Sequence, residues 1–382
     1  MSNPVLTAAI LIEANGAALN NAGKDPSQQL DNAVAVKQIR VGRNVYPYIS
    51  GQAMRRWWRE VLYADFGWQP SPVTRAAQSA YTSGDPITHA DDDVFGYMAA
   101  KKGKRTTKKT KKGESSPEAS PPENDSDDDS LPPQTDEPTD DSGGTQRRVS
   151  PLKNSLLISV LPFKPTSDFG QFSRDLPVDN PNPVLFTHQH YTTLMQGVFT
   201  LSLQDVGRFE CGLMRDLALN APETEGVMVV REAAGNLQPR VLGVSVEERR
   251  KRVSETLRAL GRLRHGANLT RNLSDVVPVV VLMGYLDGGN APFQSLFTPD
   301  SDEKVKLNLP RLVSVVKDYK DRLLGDKRLY FGYRPGVLAN EEEVVAALKA
   351  GVEGVTFFVG TPGEAIDQVA KLAQTDMVLK QE

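Results

Sequence analysis

Only one cysteine, Cys211, occurs in 382 residues, so no disulfide framework can form within the chain. A lone thiol fits a reducing compartment, and a cytoplasmic protein is expected. Long apolar runs are missing too. No stretch approaches the roughly 18–20 apolar residues that a membrane helix needs. The opening MSNPVLTAAILIEANG has neither the basic flank nor the cleavage site of a signal peptide. A soluble protein with no membrane partner is therefore expected. There is also no excess of positive charge: the net charge is −3. That excludes a nucleic-acid argument from global charge and moves the question to local patterning. No GxGxxG or Walker string occurs, and no cofactor is indicated.

The apolar fraction, 39 %, is low, and one segment accounts for much of the deficit. Residues 101–112, KKGKRTTKKTKK, hold eight cations and no acid, whereas 114–141 hold eleven acids and no cation. With almost nothing to bury, the stretch 101–149 cannot offset its ordering entropy and is expected to be disordered. It reads as a solvated linker, or as a basic arm that touches nucleic acid while the acidic half competes for it.

On either side, strands and helices interleave, giving an α/β (α+β) class. PVLTAAILIE (4–13), SLLISVLPF (155–163), TLMQGVFTLSLQ (193–204), VPVVVLMGYL (277–286) and GVTFFVG (354–360) read as strands. Helices are expected at 50–66, 246–264 (with a Ser245/Glu248 capping box), 307–323, 341–350 and at the C-terminal end. Between 164 and 190 lies a long proline-rich stretch, and the alternation around Phe169 and Phe172 suggests a projecting hairpin.

The stretch YPYISGQAMRRWWRE carries the chemistry. On a helical wheel Met54, Trp57, Trp58, Val61 and Leu62 share a sector of about 140°, and Gln52, Arg55, Arg56 and Arg59 an opposed sector of about 100°. Ser50 is a natural N-cap, and Gly51 permits close approach. Free amides at a helix start, with guanidinium groups beside them, suit phosphate. Lys37, Arg40 and Arg43 precede them, with no acid from Lys37 to Arg59. A solvated arginine face, or a site for a phosphorylated metabolite, would satisfy the same residues.

Other motifs point less clearly to chemistry. His188 and His190 fall on one face of a strand, but a zinc site needs three or four ligands. Asp91, Asp92 and Asp93 suit magnesium or a helix cap. Cys211 has no histidine partner in sequence and reads as buried. No metal and no catalytic residue are expected.

The series Tyr-Pro-Tyr-Ile-Ser-Gly-Gln-x-x-Arg-Arg, then DDDVFG (91–96), RVSPLKNSLLISV (148–160) and HGAN (265–268) before an apolar strand resembles a known family. It is similar to the DevR-type backbone subunit of type I CRISPR effector complexes (Cascade), in the RAMP superfamily, with subtype I-B favoured. The likeness covers most of residues 4–290. It implies a modified RNA-recognition-motif (ferredoxin-like) palm with inserted fingers and a thumb hairpin. By position, the palm takes 1–66, 154–163 and 193–295, the finger 67–153 and the thumb 164–192, with 296–382 as a C-terminal α/β part.

The resemblance further implies a non-catalytic subunit that polymerises along the CRISPR RNA. Such a subunit grips the backbone without reading sequence, kinks the RNA at every sixth nucleotide and presents the rest to target DNA. The partners implied are guide RNA, target DNA through the heteroduplex, further copies of the chain and other Cascade subunits. Carried over by position, Lys37, Arg40, Arg43, Ser50, Gln52, Arg55, Arg56 and Arg59 would line an RNA groove. Lys164, Phe169 and Phe172 would belong to the thumb, with the phenylalanines as wedges. His265, Gly266, Ala267 and Asn268, supported by Arg264 and Arg271, would form a glycine loop on the RNA backbone. The loop reads His-Gly-Ala where relatives often carry two glycines, and the charged insertion has no family counterpart. A type III-like alternative would cleave target RNA through Asp25 or Asp31.

Overall fold

A computed structural model describes residues 3–24, 32–76, 79–99, 146–173, 183–234, 238–301 and 304–375. Asp25, Asp31 and the charged segment up to residue 145 lie outside these.

Pro4–Ala17 is apolar on both sides of its pleat because it is the middle of a large mixed sheet. Edge to edge, the strands run Thr356–Gly360, Arg328–Tyr333, Pro278–Asp287, Pro4–Ala17, Val184–Ser202, Leu157–Ser159, Asn44–Ile49 and Gln38–Val41. Alternation sends Leu6, Ala8, Ile10 and Ile12 to one face, where α1 (Gly51–Phe66), α3 (Val246–Leu260) and α6 (Pro362–Leu372) pack over them. Ala9 and Leu11 face the other way, against α4 (Leu309–Tyr319) and α5 (Glu341–Ala350). The result is three layers of an α/β fold, as the interleaved pattern predicts. A short helix, α2 (Ala90–Phe95), lies off the sheet. No described helix is long and apolar enough to cross a membrane.

Some boundaries differ from expectation. Val184–Ser202 is one strand of 19 residues; its outer half pairs with Thr166–Phe172 as a hairpin, and its inner half lies beside Pro4–Ala17. The expected strand 155–163 shrinks to Leu157–Ser159. Beyond it Ser159 Oγ donates to the Leu161 carbonyl, Pro162 offers no N–H, and the Phe163 N–H donates across to Val45. Residues 146–148, inside the stretch expected to be disordered, are a strand against Tyr97–Ala99, because Arg148 is anchored by the buried Asp93 and by Asp216.

A second sheet, Arg208–Glu210, Val241–Val244 and Val227–Arg231, has its own small core around Phe209 and Leu242. Its short strands alternate weakly and are missed by periodicity.

Candidate nucleic-acid interface

The five apolar residues of the α1 wheel are all buried. Trp58 meets Phe199 edge-on at 5.2 Å and donates its indole N–H to the Thr256 carbonyl at 2.7 Å. Ser50 caps the helix by accepting the Ala53 N–H at 3.2 Å, while its own N–H donates to Asn20 Oδ1 at 2.8 Å. Gly51 sits against Asn154 and Ser155: a Cβ there would lie 3.1 Å from Asn154 Nδ2.

The arginine ridge is split, which corrects the wheel. Gln52 and Arg56 are exposed, and among the described residues Arg56 pairs with Glu60, at 3.0 Å. Arg55 is folded inward. Its guanidinium donates to the carbonyls of Leu152 and Phe95, to Ser150 Oγ at 2.9 Å and, at 3.4 Å, to Asn154 Oδ1. Arg59 stacks over the Phe95 ring at 4.3 Å. Both sit on the flank of the wheel next to Leu62, which the segment 90–99 and 148–154 covers. Burial, and secondarily Arg59, pushes Arg55 down to about 10. Burial also lowers Arg59, opposed by Tyr63, Asp91 and Asp92. Both remain cations at neutral pH, but Arg55 is a staple between α1 and residues 95 and 150–154.

Two asparagines that sequence reasoning missed tie the other candidates together. The Asn20 carbonyl accepts the Lys37 N–H at 3.0 Å, and the Asn20 side chain holds Ser50. Asn21 Oδ1 accepts from Asn268 Nδ2 at 3.3 Å. Lys37, Ser50 and Asn268 thus share one hydrogen-bonded node at the end of the Pro4–Ala17 strand. Short polar residues just after a strand give a weak signal of such a node.

The loop His265–Asn268 is seated here. Ala267 donates its N–H to the Leu19 carbonyl at 3.1 Å, and Asn268 takes a left-handed φ of 57°. A Cβ on Gly266 would stand 2.6 Å from Leu19 Cδ2, so a larger residue would have to push the leucine side chain aside. His265 Nε2 lies 3.3 Å from Glu60 Oε2. Arg264 is exposed but paired: it forks onto Asp65 at 2.8 and 2.5 Å. Arg271 is exposed, with Nη1 2.7 Å from His188 Nε2.

Arg40 and Arg43 are exposed on the Gln38–Val41/Asn44–Ile49 hairpin, farther out along the sheet edge. Lys164 is exposed at the base of the projecting hairpin. Phe169 and Phe172 are 60 % and 54 % exposed. Their register against Thr187 and Val184 puts them on opposite faces of the hairpin, so they do not form one wedge.

The motifs set aside for other chemistry have structural partners. Asp93 accepts from Arg148, from Arg252 at 2.8 Å and from the Gly207 N–H at 2.9 Å. Asp91 accepts from the Tyr63 hydroxyl, and Asp92 from Ser71 and Ser83. Among the described residues no cluster of histidine, cysteine and acid has the form of a metal site. Cys211 is buried, and burial raises its thiol pKa.

No family model matches the chain, and no curated protein matches it by sequence. By fold, it is similar to a chain of a solved complex described as "CRISPR RNA-guided surveillance complex, pre-nicking", with a TM-score of 0.50 and 10 % identity over 97 % of this chain and 100 % of that one. A chain described as "CRISPR RNA-guided surveillance complex" aligns at a TM-score of 0.46 and 11 % identity, covering 97 % and 99 %. At these identities the likeness is one of fold: a large mixed sheet with helices on both faces.

Proposed function

We propose that this chain is the RNA-binding backbone subunit of a type I CRISPR surveillance complex, DevR-like and of subtype I-B. It grips guide RNA through phosphate and ribose without reading sequence, and it is not an enzyme. The observation that carries this reading is the asparagine node. It joins a capped helix start, a glycine loop and the Lys37 strand end into one surface, beside which Gln52, Arg56 and Arg271 stand exposed. Backbone groups, small residues and separated cations are what sequence-independent RNA binding requires. The full-length fold likeness and the sequence resemblance support the same assignment. On this reading the hairpin intrudes between bases at every sixth nucleotide, copies of the chain polymerise along the RNA, and pairing with target DNA supplies specificity.

The test is purification of the chain from cells expressing a guide RNA and the other subunits. A bound RNA of uniform length is expected. Protein free of RNA would contradict the reading. Incubating the complex with complementary RNA and magnesium is expected to leave that RNA intact; cuts at regular spacing would instead support a ribonuclease using Asp25 or Asp31.

A further inference from the structure

His188 does more in this structure than mark a strand face. It and Phe186 stand two residues apart on the outer half of the Val184–Ser202 strand and so share one side of the hairpin. Their rings lie 5.2 Å apart, and the Arg271 guanidinium sits over Phe186 at 5.7 Å while Nη1 reaches His188 Nε2 at 2.7 Å. Phe186 lies flat because its cross-strand neighbour is Gly170, where a Cβ would be 2.3 Å from the ring. Arginine has only donors, so Nε2 must be the acceptor and the imidazole proton must reside on Nδ1. That Nδ1 is buried without a hydrogen-bond partner among the described residues. The ring thus forgoes one hydrogen bond and keeps the one that aims Arg271.

We propose that His188, in its neutral form and with Phe186 beneath, is the positioning residue that holds Arg271 toward an RNA phosphate where the hairpin meets the glycine loop. The inference rests on the RNA-binding reading above. Protonation would set imidazolium against guanidinium and release Arg271, so grip weakens as pH falls. The charged or titratable groups facing His188 are Arg271, Asp168 directly across the hairpin, His190 further along the same face, and Lys24 beyond the Ala33–Val36 strand. Burial and Arg271 lower the imidazole pKa, and Asp168 opposes them. Its folded-state pKa therefore lies below the ordinary value, and the neutral form prevails at neutral pH and above.

The experiment uses the full chain and a fluorescein-labelled single-stranded RNA oligonucleotide, with anisotropy read from about pH 8 down to about pH 5.5, the range in which a histidine changes charge. His188→Ala is expected to weaken binding about fivefold at the upper pH, Arg271→Ala at least as much, and the double variant no more than Arg271→Ala alone. His188→Gln, whose amide oxygen accepts but does not titrate, should restore affinity and flatten the pH profile. Additive losses, or a His188→Gln profile that still falls with acid as wild type does, would overturn the positioning role. Chemical shifts of ¹⁵N-labelled histidine report the contact separately: the His188 pKa should rise in Arg271→Ala, and an unchanged pKa would also overturn it. If Arg271→Ala shows this shift yet the wild-type chain binds no RNA, the RNA-binding reading is removed, and with it the role of the contact.

Discussion

Arg55 shows how one side chain can change its meaning between wheel and fold. On the wheel it belongs to a solvated cationic face; in the molecule its guanidinium satisfies acceptors from three points of the 95–154 segment. Arg55→Ala would leave those buried acceptors unmatched and should cost about 2–4 kcal/mol of stability, read by urea unfolding. Arg56 makes the opposite case. It is exposed and, among the described residues, paired with Glu60, an interaction of little consequence in water. Arg56→Glu should leave the unfolding midpoint unchanged and reduce RNA retention. An Arg55→Ala chain as stable as wild type, or an unstable Arg56→Glu chain, would refute this division. Asp93 is wholly buried between two arginines. Removing it in Asp93→Ala should cost about 3–5 kcal/mol, since Arg148 and Arg252 would lose the acid buried between them and keep only their more exposed partners, Asp216 and Glu248; a shift under about 1 kcal/mol on urea unfolding would show the pair to be dispensable.

At the scale of elements, legibility in the sequence followed burial pattern. The Pro4–Ala17 and Pro278–Asp287 strands and helices α1, α3 and α5 have long periodic apolar patterns, and their positions were readable to within a few residues. The second sheet was not, because strands of three to five residues pack on a core too small to impose a clear period. Within the candidate site, Ser50 was legible because a helix cap demands a residue type, whereas Gly266 was named through the family resemblance alone. Asn20, Phe186 and His188 were not, since their roles arise from contacts across more than 25 residues of sequence that no local pattern encodes. The hairpin adds a prediction of its own. Because Phe169 and Phe172 face opposite ways, only one of the two alanine substitutions should lower the fluorescence of an unstacked base analogue in bound RNA. Equal losses would mean that the hairpin twists both rings to one side.

For the whole molecule, a net charge of −3 is compatible with RNA binding because only one surface needs to be basic. The charged segment nearly balances itself, with eight cations at 101–112 against eleven acids at 114–141, and elsewhere acids pair with arginines, as Asp93 does with Arg148 and Asp65 of α1 with Arg262 and Arg264. The central claim is that the surface around the asparagine node holds an RNA backbone electrostatically and ignores the bases. The most direct test measures affinity for two single-stranded RNAs of equal length and unrelated sequence across a salt series. Equal affinities and a log–log slope of about −0.7 for each phosphate neutralised are expected. A slope near zero, or a strong preference for one sequence, would contradict it.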